Sequence, residues 1–583
     1  LQIPGFSTRE ARDIIYMVQD STFLSYDMIA TTLNLSRAQI YLLKHCSHIY
    51  PRKEKKSEFK ARLRYKGKLN KIKGIEEEKF IGDETDYYQR FQYQNSYFSA
   101  CLLTDKDFGE VYAADFLSGY LQTELNDTKL IVGNFSVESG LGNILWKAFG
   151  ARKGANVISP TTAKGRGLRP YNSSIDNKYF RGIGAQRQFN IGKTSIIDAT
   201  LWYSSADISG RVVPEEDLIS SIYRSGYYRT SSEISKRYNV YETSGGGIVE
   251  YKQGALTIGL SNLYLQYTRY IKSSSSTAFR GESGLLSSIY AFKDFDDMTI
   301  AAELSNDAQG NKAVRISGQL STKDIDLAMN FRSYASKFRS PFGHNFGEAS
   351  YAANETGLYT GMEYKINKKT LFTAYVDVFG SFDRTYFVPA NTVGIDVFSE
   401  LRHKFSKKTI AVGRVRFETK TDAEKNEEKI YDIFQRKRTS VRLETIHNFN
   451  RSLKLRARIE SAYINFDKYL PEEFGTAGFA ELSWDINKFA EIGGRFSLFS
   501  TDSYSSAIWQ FEYKGRGYMS IPAMYGDGFK ALLYADFRVN KTINLRLFFS
   551  ILRRNNADHI GSGNMSTIGN ELKRFLIQTD IRI

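Results

Sequence analysis

The sequence predicts a mainly β protein: a large transmembrane antiparallel β-barrel behind a small all-α N-terminal domain. Three observations point there. From residue 58 onward, apolar and polar residues alternate with a period of two over segments of about ten residues, long enough for a tilted strand to cross the hydrocarbon layer. The connections between these segments alternate between short polar turns and long loops, as in a barrel with its turns at one rim and its loops at the other. Glycine (45), tyrosine (38) and phenylalanine (40) are abundant beside 9 prolines and 2 cysteines, which favours a β architecture over a helical or disulfide-built one.

Residues 1–50 form the helical part. Ala11, Ile14, Ile15 and Val18, then Met28, Ile29 and Leu33, then Ile40, Leu42 and Leu43 recur at helical spacing, so three short helices are expected. Ile3-Pro4-Gly5-Phe6 makes a tight turn, and Ser7 or Thr8 caps the helix beginning near Arg9. Such a helix N-terminus offers unpaired N–H groups and a partial positive charge that suit a phosphate oxygen, and Gly5 lets the backbone approach closely. Arg9, Arg12, Arg37 and Lys44 suit a phosphate contact and a solvated helix face equally well. "HCSH" at 45–48 lacks the remaining ligands of a metal site, so no metal is expected. Cys46 and Cys101 suggest no disulfide framework. Residues 51–57 read as a linker.

Residues 58–583 carry the barrel pattern. In "LKLRARIESAYINF" (453–466), Leu453, Leu455, Ala457, Ile459 and Tyr463 share one face, opposite Lys454, Arg456, Arg458 and Glu460. "KALLYADFRV" (530–539) and "TINLRLFFSI" (542–551) repeat the alternation. A soluble sandwich would show the same period, so segment length and loop layout decide for the membrane. The short turns include "INKK" (365–368), "FSKK" (405–408), "NFNR" (448–451) and "VNKT" (539–542), and the long loops 335–355 and 419–438. Aromatic residues gather toward segment ends, where girdles at the lipid interfaces are expected. The count is about 26 strands, an even number that returns the C-terminus to the short-turn side. "RFLIQTDIRI" (574–583) reads as the closing strand, although it ends in Ile583 where an aromatic residue is usual. No run of eighteen apolar residues occurs, as a membrane-spanning helix would require.

One segment breaks the rhythm. Between Trp146 and Arg187 the chain carries Arg152, Lys153, Lys164, Arg166, Arg169, Arg181 and Arg187 with Asp176 as its single acid. A ring this wide needs filling, so residues 137–177 are expected to fold inward as a plug loop that brings this basic cluster into the lumen. "GRGLRPYNSS" is glycine-rich but lacks the spacing of a phosphate loop.

The order "IPGFS…A…II…F.S…L.LS..Q…L" resembles the tandem helix-hairpin-helix domain of ComEA-type competence proteins, which bind double-stranded DNA without sequence preference. The resemblance covers the first fifty residues and implies phosphate contacts from Pro4, Gly5, Phe6, Ser7, Thr8 and Arg9 in one hairpin and Asn34, Ser36 and Arg37 in the other. Asn34 stands where that family usually has glycine. "VGNFSVESGLGNILWKAFGARKGANV", "RGLRPYNSS" and "SGYYRTSSEISKRYNV" look like a family of bacterial outer-membrane barrels carrying such a domain. That resemblance implies a bacterial outer-membrane location with the helical domain in the periplasm.

Together with a net charge of +16, these features predict a channel that handles or imports DNA, its basic lumen guiding the polyanion. The alternative is a porin or transporter for another solute, with the helical module as a scaffold or partner-docking site. Expected partners are outer-membrane lipid and lipopolysaccharide, double-stranded DNA, and periplasmic or surface proteins. No cofactor is expected. Nor is an enzyme, since neither a G-x-S-x-G elbow nor a histidine beside a recognisable nucleophile appears.

Overall fold

The computed structural model describes residues 57–147 and 152–583 except positions 177, 193, 274, 276, 277, 350 and 468, together with Tyr26, Ile29 and residues 35–46. Its main sheet has 27 strands. Three are short pieces within loops, Gly167–Pro170, Gly210–Val213 and Leu218–Ile222, and the other 24 close into an antiparallel barrel.

Strands β1 to β5 are Glu58–Lys68, Asp86–Gln94, Phe98–Lys106, Phe116–Leu125 and Thr128–Glu138. A long excursion follows before β6 (Phe180–Ile191) and β7 (Ser195–Ile208), and another before β8 (Val240–Gln253). Strands β9 to β13 are Leu256–Ile271, Gly281–Asp294, Met298–Asn306, Lys312–Ser321 and Ile325–Tyr334. Strands β14 to β18 are Glu355–Asn367, Thr370–Gly380, Val393–Lys404, Thr409–Lys425 and Tyr431–Asn448. Strands β19 to β21 are Leu453–Asn465, Glu473–Asn487 and Ala490–Thr501, and β22 to β24 are Gly526–Arg538, Ile543–Arg554 and Glu571–Arg582. Each pairs with its predecessor, and β24 pairs with β1 from Lys60↔Arg582 to Lys68↔Arg574, which closes the ring.

Connections alternate strictly. Turns such as 126–127, 254–255, 368–369 and 488–489 occupy one rim, and loops such as 139–179, 209–239, 335–354 and 502–525 the other. The start of β1 and the end of β24 lie at the short-turn rim. Phe295, Phe405, Phe449 and Phe489 stand exposed at four of the turns, forming part of a girdle.

The two faces of the wall settle what the period of two leaves open. On β11, Ile300 and Leu304 point outward and are exposed, while Glu303 and Ser305 point inward and are buried. On β22, Leu533 faces out, 63% exposed, and Lys530 is buried inside. A soluble sandwich would bury the apolar face. Here it is the outer one, an arrangement stable only against lipid, where ring closure also satisfies every backbone edge.

Two expectations change. The strand number is 24 rather than about 26 because strand-like pieces pair with one another inside a loop: Ile508–Trp509 with Ala523–Met524, and Glu512–Gly515 with Tyr518–Ser520. Residues 419–438 are mostly not a loop. β17 and β18 pair as far as Lys425↔Tyr431, leaving a connection of residues 426–430. Their dense charge masks a hairpin that extends both strands.

Candidate functional site: the lumen and the segments inside it

The first lumenal segment parts from β4 at Gly133, while β5 stays paired with β6 as far as Phe135↔Phe180. β5 pairs with β4 only as far as Gly133, whose φ is +102°, and a Cβ there would stand 2.3 Å from the Gly119 carbonyl oxygen. Beyond it, Phe135 to Glu138 pair with the short strand Gly167–Pro170. The intervening chain packs on the inner faces of β8 to β16. Leu141, Ile144 and Leu145 form an apolar core with Leu263, Leu286 and Ala301 of the wall.

Two wall charges, Glu303 and Arg315, bind the backbone of this segment. The Glu303 carboxylate, 2% exposed, accepts hydrogen bonds from the N–H groups of Leu141 (2.6 Å) and Asn143 (3.4 Å) and from the Ser288 hydroxyl (2.6 Å). Arg315, directly opposite on β12 and fully buried, donates to the carbonyls of Leu141 (2.8 Å), Pro160 (3.0 Å) and Thr161 (2.7 Å). Buried charges are tolerated only with such compensation. The Tyr359 hydroxyl adds a bond to the Val157 carbonyl at 2.9 Å. Lys153 lies 2.6 Å from Glu348, 2.9 Å from Asp377 and 3.2 Å from Asp396. Burial works against its charge, but these carboxylates prevail and raise its pKa. Burial likewise disfavours ionised Glu348, yet Lys153 and Lys420 bring its pKa down to about 2.

The other basic residues expected in this cluster are dispersed. Lys164 sits 3.7 Å from Glu250, and Arg166 makes a two-bond pair with Glu138 at 2.7 and 2.8 Å. Arg152 is exposed; Arg169, also exposed, lines a cleft of about 340 Å³ with Lys60, Gln92 and Lys129. Arg181 donates to the Leu117 carbonyl and lies over the Tyr179 ring. Arg187 shares its strand face with exposed Ile183 and Phe189, on the outside of the barrel. The run from Trp146 to Arg187 therefore contains the start of β6, whose two glycines and charged residues weaken its strand signal.

The sequence reading missed a second lumenal segment. Residues 502–525 lie against β18 to β24 and β1. Arg438 donates to the carbonyls of Ser505 and Ala507, Arg495 to that of Phe511 (2.7 Å), Arg546 to that of Tyr513 (2.8 Å) and Arg64 to that of Arg516 (3.1 Å). Lys530 pairs with Glu512. A signal was available: Lys-Gly-Arg-Gly occurs at 164–167 and again at 514–517, once in each segment. The last glycine of each, Gly167 and Gly517, has φ of +67° and +71°, a left-handed conformation that other residues rarely adopt.

Elsewhere the inner wall carries cross-strand pairs of opposite charge: Glu400↔Arg414, Arg442↔Glu460, Glu444↔Arg458, Glu481↔Arg495 and Asp536↔Arg546. Arg442 contacts Glu460 at 2.6 and 3.0 Å, and Arg458 reaches Glu444 at 2.8 Å. The wall therefore carries both signs of charge, with Arg64, Arg315 and Arg438 held by carbonyls.

Above it, loops 107–115, 139–179 and 209–239 meet at a polar junction. The Tyr228 N–H donates to Glu110 (3.0 Å) and its hydroxyl to Asp176 (2.7 Å), while Arg237 lies 3.3 Å from Asp115. Burial, aided by the Asp115 charge, raises the Glu110 pKa to about 8. Burial raises that of Asp115 to about 7, against the pull of Arg237.

Of the expected phosphate contacts, Pro4, Gly5, Phe6, Ser7, Thr8, Arg9 and Asn34 lie outside the described residues. Ser36 precedes the helix Arg37–Cys46: its hydroxyl accepts from the Gln39 N–H at 3.3 Å, and its own N–H donates to the Gln39 side chain at 2.9 Å, a reciprocal cap. Arg37 is the first residue of that helix.

The fold is a transmembrane barrel of the outer-membrane type. Solved structures similar to it include the copper transporter OprC (TM-score 0.44, 9% identity, 92% of this chain and 81% of that one). Others are the siderophore receptor PirA from Acinetobacter baumannii (0.40, 8%, 91% and 81%) and the FrpB iron transporter from Neisseria meningitidis (0.39, 10%, 93% and 82%). No family model and no curated protein matches the sequence. Nothing in these similarities shows the helix-hairpin-helix domain.

Proposed function

We propose that the chain is an outer-membrane transporter for a small solute, with residues 139–171 and 502–525 as a two-part plug. The observation that carries this reading is the lumen itself, polar and charge-paired, with two loop segments docked on opposite arcs of the wall. Long loops would face the exterior and short turns the periplasm, with lipopolysaccharide around the loop rim. The helical module precedes β1, which starts at the short-turn rim, so we assign it a periplasmic scaffold or docking role. We do not adopt the DNA-channel reading. It asks the lumen for a uniformly cationic surface, whereas Lys153, Lys164, Arg166, Arg442 and Arg458 are each matched by a carboxylate.

Single-channel conductance in planar bilayers tests the proposal. The intact protein should conduct little, deletion of residues 146–171 should open a partial pore, and further removal of 506–521 a larger one. Unchanged conductance after both deletions, in a barrel that still resists unfolding in detergent, would reject the plug. The deletion must end before Phe180, where β6 begins.

A further inference from the structure

At the long-loop rim, loops 272–280, 335–354 and 381–392 enclose a cleft of about 1030 Å³. Among the described residues neither Arg339 nor Arg280 of this cleft has a carboxylate partner, in contrast to Arg442 and Arg458 of the wall. Arg339 is only 5% exposed, yet among the described residues its guanidinium meets no carboxylate: one nitrogen donates to the Lys337 carbonyl at 3.0 Å, and Nε has no partner. Asp307, the acid that acts on Arg339, is already engaged, accepting from the N–H groups of Gln309, Asn311 and Arg339 and from the Asn311 side chain, and Glu348 and Glu355 of the cleft lining are held by Lys153 and Arg332. Arg280 lines the same cleft, its guanidinium bonded to the Ser273 carbonyl at 3.3 Å, and burial together with Arg280 lowers the Arg339 pKa. A buried cation beside a second cation, with an unused donor, lacks the compensation that every ion pair of the wall possesses.

The cleft also presents Tyr386 and Phe387, 90% and 74% exposed, their rings edge-to-face with centroids 4.9 Å apart. Aromatic surface this exposed is costly in water unless something covers it.

We propose that this cleft binds a small soluble anion bearing a flat apolar group, with the anion on Arg280 and Arg339 and the flat group on Tyr386 and Phe387. The assignment deepens the transporter reading by naming a chemical class for its external ligand, and it is tested by binding alone, so it can fail while the conductance experiment succeeds, or the reverse.

The experiment is equilibrium dialysis of 1-naphthyl phosphate against the full chain in nanodiscs of zwitterionic lipid, with 1-naphthol as the neutral control. Saturable binding of the phosphate and not of naphthol is expected, with competition by inorganic phosphate. Arg280→Gln, a change at an exposed position that leaves the fold intact, should weaken binding about tenfold, and Arg339→Gln at least as much. Tyr386→Ser with Phe387→Ser should weaken naphthyl phosphate while leaving inorganic phosphate unaffected. Equal binding of naphthol, or unchanged affinity in Arg280→Gln, would overturn the proposal. So would binding of phosphate-bearing lipid vesicles without binding of naphthyl phosphate, which would make the cleft a lipid contact.

Discussion

Arg315 satisfies three loop carbonyls, and Glu303 across from it two loop amides, so a single pair of wall residues fixes the entry and the return of the first lumenal segment. Arg315→Ala would leave Glu303 buried without its facing cation and the carbonyls without donors. Each hydrogen bond lost to a charged group costs about 1.5–3 kcal/mol. Hydrogen exchange should therefore accelerate across residues 141–161 while the wall strands stay protected; unchanged exchange would count against the anchoring role. Glu303→Gln with Arg315→Met should restore part of the protection, because neither charge is then stranded. The sequence placed such residues only halfway. The alternation in "KAVRISGQLS" sets Arg315 on the face opposite Ile316, but its carbonyl partner at Pro160 is 155 positions away, beyond any local periodicity. Gly133 was equally silent, since glycines inside strands are common and only tertiary geometry marks this one as the point where β5 parts from β4.

Among the elements, the junction of loops 107–115, 139–179 and 209–239 should respond to pH. Glu110 and Asp115 have folded pKa values near 8 and 7, above their ordinary values of 4.5 and 3.8. A carboxyl whose pKa is raised by folding binds a proton more tightly in the folded state, so its contribution is complete below its ordinary value. It is lost as pH rises through the folded value. Loop 209–239 should thus be digested faster at about pH 9 than at about pH 6, with controls for protease activity, and Glu110→Gln should flatten the difference. Equal digestion at both values would refute it. The wall elements were legible because lipid imposes one apolar face on each strand. The lumenal segments were legible only in part: residues 137–177 announce themselves by broken rhythm, whereas 502–525 contain short hairpins that imitate barrel strands.

For the whole molecule, the apolar exterior is the dominant feature. Leu533→Arg, on the outer face, should destabilise the barrel by about 2–4 kcal/mol if it lies at mid-membrane, whereas Arg538→Leu near the turn rim should change little. Denaturant unfolding in lipid vesicles measures both, and equal effects would argue against the assigned belt. The charge of +16 also finds a place. Part of it lies on exposed Lys323, Lys368, Lys369, Lys407, Lys408, Lys488 and Lys541, which decorate the short-turn rim, where lipid phosphates lie. Composition reported the excess; it could not report its position. The seam between β1 and β24 has one more consequence, for synthesis. Arg62 meets Asp580 at 2.6 Å across 518 positions of sequence, so the first strand to emerge waits for the last before its outer edge has a neighbour. Until then the chain exposes both unpaired edges and its entire greasy belt, a state prone to aggregate in water.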